Sequence, residues 1–73
     1  MTEVTVERAS VTIELLIVAD DFAARAQAQE TCRDRARPGT GVHHLHAHSA
    51  TLWRQAENSL RARIHALESD SAR

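Results

Sequence analysis

Four of the five histidines, His43, His44, His46 and His48, fall within six consecutive positions just ahead of the single tryptophan, Trp53. Imidazoles crowded in this way suggest metal binding or proton handling. In a helix, His44 and His48 stand one turn apart on one face, a spacing that lets two imidazoles share an ion. Metalloprotease helices with this spacing place a glutamate directly after the first histidine, and here that position is Leu45. A structural zinc site needs four ligands and a catalytic one usually takes three from the protein, yet no carboxylate lies between Asp34 and Glu57. A transition metal on His44 and His48 is therefore expected only where a second molecule adds ligands. Otherwise no cofactor is implied, and the run reads as a polar helix entry. His65, alone beside Ile64, reads as a flank of a packed face.

Cys32 is the only cysteine, so neither an intrachain disulfide nor a cysteine-pair zinc site can form. Its arginine neighbours would favour a reactive thiolate, but no pattern supplies it with a base, and it is expected to act as a small buried hydrophobe. Asp20 and Asp21 are adjacent and diverge by about 100° on a helix, which does not make a general acid and base pair.

The arginines form the strongest electrostatic feature. All nine cations are Arg and none is Lys. The net charge is −1, but residues 1–30 carry six acids against Arg8 and Arg25, whereas residues 31–73 carry seven arginines against four acids. Such asymmetry suits an anionic partner, or two copies meeting acidic end to basic end. Arg33, Arg35, Arg37 and Arg54 are the candidate partner-binding residues, because Arg makes forked contacts suited to interfaces. Nucleic acid is the alternative partner. Against it, the chain has only two aromatics, Phe22 and Trp53, which the helical stripes require for packing, and base stacking needs exposed rings. There is no zinc-finger pattern, glycine-rich phosphate loop or helix-turn-helix spacing.

These residues must be positioned by very few elements. No glycine or proline precedes Pro38, and then Pro38, Gly39 and Gly41 cluster in one joint. Before it, Val11, Leu15, Val18 and Phe22 follow the three-and-four spacing of a helix face, which predicts a first helix over about residues 9–36, with Ser10 as cap and an Asp21 to Arg25 pair. The competing reading is an N-terminal β-hairpin followed by two helices, because Val11, Ile13, Leu15 and Ile17 also alternate and are mostly β-branched. Its turn would fall in residues 7–10, which lack Gly, Asn, Asp and Pro. After the joint at 37–42, Trp53, Leu60, Ile64 and Leu67 form a helical stripe. It predicts a second helix from residue 43 or 49 to about 69, with Ser49 as cap, Glu57 and Arg61 supporting the exposed face, and residues 68–73 as a frayed tail.

The reading is all-α: one small domain of 73 residues folded as an antiparallel helical hairpin. A chain this short buries only about 60% of its surface and needs a staple or a partner. Two copies are expected to pack Val11, Leu15, Val18 and Phe22 with Trp53, Leu60, Ile64 and Leu67 in a four-helix-type bundle. No apolar stretch reaches the roughly 20 residues that span a bilayer, and the acidic start lacks a signal peptide's basic region, so a cytoplasmic chain without membrane contact is expected. With no convergent catalytic set, the expected function is non-enzymatic: a binding or regulatory protein that contacts itself and another protein as adaptor, inhibitor or modulator.

Overall fold

A computed structural model describes residues 2–71, with side chains at residue 7 and at 9–70. The side chains of Glu3 and Arg8, and Ala72 and Arg73 of the expected tail, lie outside the described residues. Two helices, α1 (Thr2–Arg35) and α2 (Gly41–Ser71), pack antiparallel in a rod of 56 × 16 × 11 Å. The length is that of the helices themselves, since 34 residues at a rise of about 1.5 Å span about 51 Å.

The strand alternative for residues 11–18 is not realised, because residues 2–35 form one helix. Five alanines between Ala19 and Ala28 have the highest helix propensity. They carry the helix past the β-branched segment, which tertiary packing then holds. α1 also begins upstream of the position expected from Ser10, which lies inside it.

Helix α1 closes on carbonyls before Pro38: the Ala36 N–H donates to Cys32 O and Arg33 O, both at 3.1 Å. Gly39 then takes φ +83°, a left-handed conformation that only glycine adopts without strain. Thr40, rather than Ser49, caps α2. Its Oγ1 accepts from the His43 N–H at 3.2 Å and its carbonyl accepts from the His44 N–H at 3.1 Å. The joint is thus short, and α2 runs through the whole histidine segment.

The seam between the helices follows a seven-residue repeat. In α1 it passes through Thr12, Leu15, Ala19, Phe22, Ala26, Gln29 and Arg33, at alternating steps of three and four, and each is buried or half-buried. In α2 it passes through His43, His46, Ala50, Trp53, Glu57, Leu60 and Ile64 in the same steps, again all buried or half-buried. Phe22 meets Trp53 with ring centroids 5.5 Å apart, and Gln29 meets His46 at 2.7 Å. These two contacts fix one register along the rod. The closest packing falls on small residues, with Ala19 and Ala26 fully buried, as expected where short side chains let helices approach.

Of the core expected from the sequence, Leu15, Phe22, Trp53 and Leu60 are half-buried and Ile64 is buried, whereas Val11, Val18 and Leu67 are exposed in the single chain. Residues 11–19 are apolar nearly all round, so periodicity alone does not say which stripe faces α2. The stripe through Ala19 won because a two-helix seam selects small residues at its tightest layers.

Candidate interaction surface

The two flanks of the seam are built differently. On one flank, Glu30 of α1 and Arg54 and Arg61 of α2 follow the seam, with Glu57 inserted in the seam itself. Arg54 is the hub. Its guanidinium donates to Glu30 through Nη2 at 2.8 Å and Nε at 3.2 Å, and to Glu57 Oε1 through Nη1 at 2.9 Å. Arg61 donates to Glu57 Oε2 at 2.8 Å and across the seam to Asp20 Oδ1 at 3.0 Å.

Glu57 is only 8% exposed, yet both of its oxygens are bonded. The hydrogen bond from Arg61, and then that from Arg54, holds its carboxyl below the usual glutamate range. Glu30 is lowered by its bond to Arg54, and the arginines are correspondingly raised. Glu57 and Arg61 were expected on an exposed face; they close a flank instead. The reason is the seven-residue count back from Ile64, which puts Glu57 in the seam row.

The other flank has no seam-crossing ion pair among the described residues. Its inner rows are Val11, Val18, Arg25 and Cys32 from α1, and Val42, Ser49, Ala56 and Arg63 from α2. Outside them lie Glu7, Glu14, Asp21 and Arg35 from α1, and Leu45 and Leu52 from α2. Val11, Val18, Val42, Leu45 and Leu52 are all exposed, Leu45 by 65%. Arg25 closes the middle of this flank. It pairs with Asp21 at 3.0 Å, as the sequence spacing predicts, and lies 5.2 Å from the Trp53 ring in a cation–π contact. Leu16 and Ile13 stand on the ionic flank, in the rows of Glu30 and Asp20, and Ile17 on the far face, so the exposed apolar surface of α1 runs all round its N-terminal half.

The histidines divide by register. His43 and His46 turn into the seam, where the Nδ1 of His43 lies 3.0 Å from Arg33 O and that of His46 lies 2.7 Å from Gln29 Oε1. His43 thereby satisfies a carbonyl at the end of α1. His44 and His48, the expected metal pair, are exposed. Among the described residues no three of His, Cys, Asp and Glu gather to hold an ion, so a metal on that pair would require ligands from another molecule.

The four candidate arginines also part company. Arg33 pairs with Asp34 at 2.9 Å and Arg54 is spent on Glu30 and Glu57, whereas Arg35 and Arg37 are exposed and have no ion-pair partner among the described residues. Cys32 is exposed rather than buried, because it stands one position outside the seam row of Arg33. Among the described residues no helix is long and apolar enough to cross a membrane.

Comparison with protein-family models, curated proteins and solved structures finds no match to this chain. The count that sorts these residues was present in the sequence. Stepping back from Trp53 by three and four reaches Ala50, His46 and His43, so the seam histidines could have been separated from His44 and His48.

Proposed function

We propose that the chain is a small non-enzymatic protein that acts by protein–protein contact, as an adaptor, inhibitor or modulator, and that its apolar flank is the contact surface. One observation carries this reading. Val11, Val18, Val42, Leu45 and Leu52 lie exposed on the same flank, distributed over both halves of the rod. Exposed apolar residues gathered on one flank of a small protein, here in two groups either side of Arg25, mark an interaction site. Water gains nothing from such a surface, and the ionic flank demonstrates that this chain has the charged residues to cover one.

The alternative of nucleic acid draws less support. Arg33 and Arg54 are neutralised by carboxylates, Phe22 and Trp53 pack on one another, and Arg35 and Arg37 make a small phosphate footprint. A catalytic role draws none, since exposed Cys32 and the seam-facing histidines are not arranged as nucleophile and base.

A photo-crosslinking benzoylphenylalanine in place of Val18, on the apolar flank, and separately in place of exposed Asn58, on the ionic flank, tests the assignment in cells. Adducts identified by mass spectrometry are expected at position 18 and not at position 58. Equal adducts at both positions, or none at position 18, would overturn it.

A further inference from the structure

We infer that the occupant of the apolar flank is a second copy of this chain, laid antiparallel so that the open end of one rod covers the joint end of the other. The inference rests on the reading of that flank as a contact surface and names its partner.

Three observations converge on it. First, the exposed apolar residues fall in two separate groups on one flank: Val11 and Val18 toward the open end of α1, and Val42, Leu45 and Leu52 toward the joint end of α2. The register of Phe22 with Trp53 and Gln29 with His46 places Val42, Leu45 and Leu52 beside α1 residues at about 33, 30 and 23. A two-fold axis at the Phe22 and Trp53 layer then brings them level with about residues 11, 14 and 21 of the other copy. Val42 thus comes level with Val11 of the other copy, twice, as a two-fold interface requires, while Leu45 and Leu52 come level with Glu14 and with Asp21, which is already paired with Arg25.

Second, the charges on this flank oppose one another along the rod. Glu7 and Glu14 stand at the open end with Arg63 as the cation beside them, while Arg35, without an ion-pair partner among the described residues, stands at the joint end. The same axis brings Arg35 of one copy level with about residue 9 of the other, near Glu7. A parallel arrangement would stack like charges at both ends, which costs affinity. The sign of the charges therefore selects the antiparallel pair.

Third, the area suffices. The broad face of the rod measures 56 × 16 Å, a projected rectangle of about 900 Å², so a partner must cover most of its length to bury the roughly 800 Å² per partner of stable complexes. Small residues on the flank, Ser49 and Ala56, are half-buried between the helices and leave room for side chains from above. The assembled object is an antiparallel four-helix bundle, with the ionic flanks facing outward.

Cysteine crosslinking in the full chain tests both partner and orientation. Within one chain, positions 11 and 42 are separated by about 22 residues of rise, about 33 Å, whereas a disulfide needs Cα atoms within about 7 Å. Cys32→Ser/Val11→Cys mixed with Cys32→Ser/Val42→Cys, under oxidised glutathione, is expected to give an 11–42 disulfide as the main product. The unmodified protein is expected to have a light-scattering mass of about twice 8.1 kDa. An 11–11 disulfide in place of the 11–42 product, a dimer giving no disulfide, or a monomer mass at every concentration would each overturn the inference. A monomeric purified protein that still gives position-18 adducts to another protein in cells would sink self-association alone. Loss of the position-18 adducts as well would sink the contact-surface reading itself.

Discussion

One flank of the seam is crossed by an ion-pair ladder from Glu30 through Arg54, Glu57 and Arg61 to Asp20; the other is lined by valines and leucines with nothing over them in the single chain. The two flanks share the same helices and the same seam, so the difference lies in the side chains alone. The ladder contributes direction. Its charges meet only in the antiparallel register observed, and Glu57, set in the seam with both oxygens bonded, is costly in any register that removes its arginines. Exposed ion pairs add little stability, so the ladder selects a pairing more than it strengthens one. The apolar flank contributes the reverse: it specifies nothing inside the hairpin, and we propose that its burial is left to a partner.

The layer shared by both flanks is the place to break the comparison most severely. Trp53→Ala removes the contact with Phe22 and the ring under Arg25. It should destabilise the hairpin by about 3 kcal/mol, the low end for a buried tryptophan because this one is half-exposed, as read by urea unfolding. Gly39→Ala comes next. Its left-handed φ of 83° costs a side chain about 1 kcal/mol, and thermal unfolding should register the loss while helix content stays the same.

Acid separates the flanks by chemistry. Glu57 and Glu30 titrate below their ordinary range when folded, so their stabilising contribution is present above about pH 4.5 and is lost as pH falls through their lower folded values. The melting temperature should therefore fall between about pH 5 and pH 3, and Glu57→Gln should flatten that fall. The smallest effect is expected at exposed residues outside the ladder and the apolar groups: His44→Ala with His48→Ala should change stability by no more than about 0.5 kcal/mol, and EDTA should leave the melting temperature unchanged.

Much of the hairpin was legible before the structure. The breakers at Pro38, Gly39 and Gly41 locate the joint, and the spacing of Trp53, Leu60 and Ile64 gives the packed face of α2. Three features were not read, for three physical reasons. Thr40 and Ser49 are both good caps, and only the path of the backbone chooses between them. Residues 11–19 offer apolar groups in every direction, so the large Val11 and Val18 looked like core when the helices needed Ala19 and Ala26 at close approach. The third is the ladder: Arg54 looked available for a partner because its acceptor Glu30 lies 24 positions away, a pairing that becomes visible only once the register is known. The histidine pair chosen for metal spacing is outward, which the three-and-four count back from Trp53 already implied.

The claim that the apolar flank associates with a second copy of the chain is tested most directly by light scattering on the unmodified protein and on the Val18→Glu/Leu45→Glu variant, across a concentration series. The account predicts a dimer mass of about twice 8.1 kDa for the unmodified chain, at least tenfold weaker association for the variant, and equal helicity in both. A variant that still dimerises with unchanged affinity, or an unmodified protein that remains at 8.1 kDa throughout, would contradict it.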